Sequence, residues 1–163
     1  MIADLDARIA TLEAELGAAL ADGAWAESVG HLRSAPGIGL LTAAWLVTAT
    51  LNFTLAPGPE ALAAYAGRAP MPRSSGTSVR GRESIGHAGN AHLRTALYLA
   101  TLSAARHNPH IRPFYDRLRA AGKPTKVARC AAARKLLHLA YALATNRTDF
   151  DPDHRTRPRV PAC

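Results

Sequence analysis

Residues 32–51, LRSAPGIGLLTAAWLVTATL, decide how the chain folds. The stretch 40–51 is almost wholly apolar, yet far shorter than the roughly 20 residues a membrane span needs, so it reads as a buried helix. Residues 25–35, WAESVGHLRSA, read as a shorter helix before it. Between them stand Pro36, Gly37, Ile38 and Gly39. A turn with glycines on both sides of a small apolar residue, opening a helix, has the form of a helix-hairpin-helix over residues 32–50. Leu32 and Ile38 would anchor it in the core. Its backbone N–H groups could approach a phosphate closely, and the second helix would offer its positive dipole end. An ordinary turn between packed helices fits the same residues.

Toward the N-terminus, Ile2, Leu5, Ile9, Leu12, Leu16 and Ala19 alternate spacings of three and four. That pattern is a heptad seam, and a coiled-coil-like helix is expected over residues 1–24, associating with a second copy through residues 2–20. An amphipathic helix packed on its own domain would show the same spacing. Toward the C-terminus, 52–59 is a Pro/Gly loop, and a short helix runs from about Glu60 to Tyr65. Residues 68–90, RAPMPRSSGTSVRGRESIGHAGN, carry four arginines, four serines and four glycines and almost no large apolar side chain. This predicts a loop too long to be a mere connection, and such loops tend to be functional. Asn90 is placed to cap a helix reaching about Arg106 with Leu93, Leu97, Ala100 and Ala104 on its apolar face. A helix follows to Ala120, and Thr125 is expected to cap the last one, which carries Val127, Leu136, Leu137, Leu139, Tyr141 and Leu143. Strand signals are weak, so the expected class is all-α: a helical domain over 25–145 and a poorly ordered tail over 146–163.

The 163 residues suffice for one core that buries about two thirds of the unfolded surface. Cys130 and Cys163 have no paired spacing and read as free thiols, as expected in a reducing cytoplasm. No apolar run is long enough to span a membrane, and none is expected as a partner. Of the net charge of +8, residues 1–30 contribute −5, from six acids against Arg8, so the remainder carries +13. Between Arg68 and Lys135 lie fourteen Arg or Lys and two acids, Glu83 and Asp116. Such density fits a polyanionic partner, because neutralising phosphates releases condensed counterions.

Gly122-Lys123-Pro124-Thr125 lacks the glycine a phosphate-binding loop needs five residues earlier, where Arg117 stands, so a nucleotide site is rejected. Lys123 and Lys126 are assigned to the nucleic-acid contact set. His87, His92, His107 and His110 have no carboxylate or cysteine at ligand spacing and read as surface or capping residues, so no metal ligand is assigned. A two-metal phosphoryl-transfer centre needs several converging carboxylates, which this stretch does not supply. There remains Ser75, between Arg73-Ser74 and Gly76-Thr77-Ser78-Val79-Arg80-Gly81-Arg82. Attack of a hydroxyl on a phosphodiester loads charge onto the nonbridging oxygens. Arg73, Arg80, Arg82 and Arg94 could bind that charge, although a flexible loop touching phosphates passively would have the same composition.

Three blocks, LRSAPGIGLLTAAWLV, LAAYAGRAPMPRSSGTSVRGRESIGHAGNAHLRTALYLA and GKPTKVARCAAARKLLHLAYAL, resemble in order and spacing the C-terminal transposase domain of the insertion-sequence family called IS one-ten, grouped with one-sixteen and nine-oh-two. The resemblance covers roughly residues 30–145. It implies a two-part enzyme, with a ribonuclease-H-like domain of acidic Mg²⁺ ligands, a coiled-coil linker, and this helical domain. It also implies DNA as partner, a bridging guide RNA in several members, and a bacterial, DNA-associated location. By resemblance Ser75 is the nucleophile; from the residues themselves Arg80 and Arg82 are the expected charge stabilisers, and Pro36, Gly37, Ile38, Gly39, Arg73, Arg94, Lys123 and Lys126 the expected nucleic-acid contact set. Where the family has SKxGN this chain has GHAGN, so His87 replaces a basic residue. No cofactor is expected on this stretch itself; Mg²⁺ is expected only with the acidic domain, without which the stretch would be inactive. The alternative is a noncatalytic DNA or RNA binder that interferes with full-length transposases.

Overall fold

The computed structural model describes residues 1–67, 70–75, 79–85 and 89–154. Helices α1 (Ile2–Ala21), α2 (Ala26–Arg33), α3 (Leu40–Ala49) and α4 (Pro59–Tyr65) precede a ribbon of β1 (Pro70–Ser75) and β2 (Val79–Ile85). Helices α5 (Ala91–His107), α6 (Arg112–Ala120) and α7 (Thr125–Asn146) follow it. The class is all-helical as expected, with one antiparallel pair inserted where a loop was expected.

Helices α5 and α7 form the spine. Ala128, Ala132, Leu136, Ala140 and Leu143 recur at three- and four-residue spacing on one buried face of α7. Small alanines there, with Ala100 and Ala104 on α5, let the backbones approach, while Leu93, Leu97, Leu136 and Leu137 fill the space between. Leu32 and Ile38 are buried as expected, and α3 contributes Ala43, Ala44, Leu46 and Val47. Val127, expected in the core, is instead exposed, because it lies in the first turn of α7, off the buried face.

Local chemistry sets the ends of the elements. Asn90 caps α5, its Oδ1 accepting from the Leu93 N–H at 3.0 Å. The expected cap at Thr125 is not formed: Pro124 occupies the N-cap and Thr125 is the first helical residue. At the end of α3 the buried Thr50 hydroxyl donates to Leu46 O at 2.6 Å and accepts from the Phe53 N–H at 2.8 Å. It thereby braces Leu51, Asn52 and Phe53, all with positive φ.

Helix α1 buries none of its residues. Ile2, Leu5, Ile9 and Leu12 are exposed, and the helix meets α2 and α3 near its C-terminal end, where Gly17 approaches Leu40. The tail also departs from expectation. Residues 147–154 are docked rather than loose: the Phe150 N–H donates to Ser34 Oγ at 2.7 Å, Asp149 Oδ1 lies 2.8 Å from His31 Nδ1, and the Phe150 ring packs on His110. His110 is consequently buried, not a surface residue, with Nε2 3.0 Å from Pro152 O. Residues 155–163, including Cys163, lie outside the described residues, whereas Cys130 forms no disulfide among the described residues.

Candidate nucleic-acid interface

The ribbon leaves the helical body through a narrow neck. The Asn90 N–H donates to Tyr65 O at 2.9 Å, tying the segment after the ribbon to the end of α4. Gly89, at φ +104°, sits so close that an added Cβ would lie 2.6 Å from both Gly67 N and Tyr65 O. Glycine is required there, by conformation and by space. Within two residues of the neck, exposed His92 stacks on Trp45 at 5.0 Å with rings 2° from parallel.

Within the ribbon, Ser75 pairs with Val79, Ser74 with Arg80, and Arg73 with Gly81. From there to Met71↔Ser84, β1 advances two residues and β2 three, so β2 bulges opposite Pro72. Proline has no N–H to give to a ladder, and a bulge is where a strand tolerates one. The pairing ends at Ser75 and Val79, which places Ser75 at the strand end next to residues 76–78. The side chains of Arg73, Ser75, Arg80 and Arg82, and His87 entirely, lie outside the described residues.

The turn at 36–39 is built into the body more deeply than its sequence suggests. Gly37 adopts φ +101°, and a Cβ on it would stand 2.5 Å from the Ala104 Cβ and 2.8 Å from its Cα. Its bare backbone therefore faces α5, and the missing side chain serves close packing. The Pro36 carbonyl accepts from Asn108 Nδ2 at 3.0 Å. Gly39 is the exposed N-cap of α3, with open space where a Cβ would go. Acid-rich α1 meets α3 at this end, through Gly17 and Leu40, which lowers the potential a phosphate would find there.

Arg94 lies one turn into α5, its N–H donating to Asn90 O at 3.0 Å, so it belongs to the neck. Lys123 and Lys126 are exposed at the turn between α6 and α7, away from both the neck and residues 36–39 in the chain. Among the described residues no group of three or more His, Cys, Asp or Glu could hold a metal ion, and no helix is long and apolar enough to cross a membrane. Sequence reading missed Asn108, the fully buried residue that joins the 36–39 turn to the start of α6. Its signal, an Asn-Pro step between two helices, gives no hint of a partner 72 residues away.

The model of the transposase IS116/IS110/IS902 family matches residues 29–116, from α2 into α6, which takes in the 36–39 turn, the neck and the ribbon. The chain belongs to this family. A Streptomyces coelicolor protein, the insertion element IS110 uncharacterized 43.6 kDa protein, is 37% identical over 120 residues, 74% of this chain and 29% of its own length. The pilin gene-inverting protein of Moraxella bovis is 35% identical over 121 residues, 74% of this chain and 38% of its own. The insertion element IS900 uncharacterized 42 kDa protein of Mycobacterium paratuberculosis is 33% identical over 120 residues, covering 73% and 30%. The chain thus spans about a third of the length of these relatives.

Proposed function

We propose that this stretch is the nucleophile-bearing part of an insertion-sequence transposase, and that Ser75 attacks a DNA phosphodiester. In that step a bond forms between Ser75 Oγ and phosphorus as the bond to the departing sugar oxygen breaks. The serine proton leaves with that oxygen, giving a covalent phosphoserine and a free hydroxyl end. The carrying observation is the ribbon register: Ser75 ends β1 beside the turn, while Arg80 stands opposite the preceding Ser74. Residues paired across an antiparallel ribbon have Cα atoms about 5 Å apart, so the backbones of Arg73, Ser74, Ser75 and Arg80 are brought together at one strand end. The +13 carried beyond residue 30 supports a DNA partner. A guide RNA and the Mg²⁺-binding acidic domain are further partners on this reading. The exposed apolar edge of α1 supports association with a second copy.

The test supplies the chain with the family's acidic domain, guide RNA and Mg²⁺ and looks for a protein–DNA adduct that survives denaturation. Ser75→Ala should abolish the adduct and leave DNA binding nearly unchanged. An adduct that persists in Ser75→Ala and disappears in Ser74→Ala or Ser78→Ala would show the wrong hydroxyl has been chosen.

A further inference from the structure

At the far end of α5 from the ribbon, three helices enclose an open cleft of about 450 Å³. Arg106 comes from the last turn of α5, Arg112 and Tyr115 from α6, and Arg129 from α7; Asp116 is the sole acid among the residues lining it. Nothing in their spacing along the chain brings these arginines together. Converging guanidinium groups repel one another, and a concavity with low-dielectric walls concentrates their field, so the arrangement favours an anion. Hydrogen bonding to Tyr98 above all, against the opposing effect of burial and with Tyr115 adding to it, raises the Arg129 pKa above the ordinary value and restrains its guanidinium, which like that of any arginine is charged at physiological pH. Holding the guanidinium in advance reduces the rotamer entropy lost on binding. Arg112 has a competing partner in Asp116, 3.7 Å away, but both are well exposed and that pair is weak.

We propose that this cleft is a second binding site for the phosphodiester backbone of the nucleic acid, separate from the ribbon and from the 36–39 turn. This rests on the reading that the chain engages DNA. Helix α5 supplies the spacing: from Asn90 at the neck to Arg106 is sixteen residues, or roughly 24 Å of helix. With the duplex axis laid along α5, at about 3.4 Å of axis per phosphate of one strand, the cleft would hold backbone about seven nucleotides from whatever lies at the neck. It would thus set the lever arm and register of the duplex while reading no bases.

The experiment measures binding of the full chain to fluorescent duplex DNA across a salt series. Arg106→Gln with Arg112→Gln should make the slope of log affinity against log salt shallower by about two, roughly one for each arginine–phosphate pair removed. Arg8→Gln with Arg147→Gln, which removes the same charge elsewhere, should leave the slope as it was. Asp116→Asn should act in the opposite direction and tighten binding by about threefold to fivefold, the effect of one unit charge at such a distance in water. Equal effects of the two arginine pairs would reduce the cleft to bulk charge and overturn the proposal, as would an unchanged slope in the cleft pair or weaker binding in Asp116→Asn. In those cases DNA engagement by the parent chain would still stand. A parent chain with no salt-dependent DNA binding would sink that engagement and the cleft with it. Micromolar binding of deoxyadenosine monophosphate that vanishes in the cleft pair would instead identify a nucleotide pocket and also overturn the proposal.

Discussion

The Asn108 amide donates to the Pro36 carbonyl oxygen at 3.0 Å while its own oxygen accepts from the His110 and Ile111 N–H groups at 2.9 and 3.2 Å. One buried side chain thus joins the turn that opens α3 to the turn that opens α6, fixing both helices against the end of α5. Asn108→Ala would strand the Pro36 carbonyl and the His110 N–H, while the Ile111 N–H keeps the Asn108 backbone carbonyl, a loss of about 2–4 kcal/mol. For a chain of this size that is a fall in Tm of roughly 5–10 °C, to be read by circular dichroism. Asn108→Asp keeps the acceptor but sets a buried carboxylate against the Pro36 carbonyl oxygen, so near pH 7 it should destabilise at least as much as Ala; a thermally silent Asn108→Ala would refute this role.

Gly37 and Gly39 look equivalent in PGIG and should behave oppositely. Gly37→Ala must adopt φ +101° and push a methyl group into Ala104, so destabilisation of about 2–4 kcal/mol is expected. Gly39→Ala meets open space at an ordinary negative φ and should shift stability by under about 0.5 kcal/mol. Urea denaturation of the two variants side by side checks this, and equal losses would contradict it.

Association through α1 should be separable from folding. Leu12 is 64% exposed and Leu5 52%, so Leu12→Asp should leave the Tm of the body nearly unchanged. In an associated pair the same change buries an unpaired charge in the seam, and dimer affinity should drop at least about tenfold. Sedimentation velocity over a concentration series reads this directly. A parent chain that stays monomeric at high concentration would count against the seam.

His138 should give stability a pH dependence. Burial, reinforced by the nearby charge of Arg134 and partly offset by Glu60, lowers its pKa below the ordinary histidine value. Its Nε2 is buried without a hydrogen-bond partner among the described residues. The folded chain therefore holds this proton less readily than the unfolded one. The contribution is intact above the ordinary histidine pKa of about 6.5 and declines as pH falls through it toward the depressed folded value. His138→Gln should flatten the stability difference between about pH 7.5 and pH 5.5 relative to the parent. Identical pH profiles for the two proteins in urea melts would show that His138 contributes nothing.

Elements whose pattern is local were legible in the residues themselves. The helical spacing of Leu93, Leu97, Ala100 and Ala104 marked α5, and an apolar run too short for a membrane marked α3. Asn90 announced its cap, since a cap answers to its immediate neighbours. The all-helical class and the resemblance carried by three blocks needed nothing further. What distinguishes Gly37 from Gly39 is a neighbour 67 positions away in the chain, Ala104, and no local pattern contains it. The ribbon at 70–85 was hidden because its strands show no apolar alternation; their order lies in backbone pairing, which leaves no mark on Ser, Gly and Arg. Docking of residues 147–154 likewise depended on where α2 had placed His31 and Ser34. The Arg106, Arg112 and Arg129 cleft arises only once α5, α6 and α7 are packed, because charge adds by distance in space and not by distance along the chain.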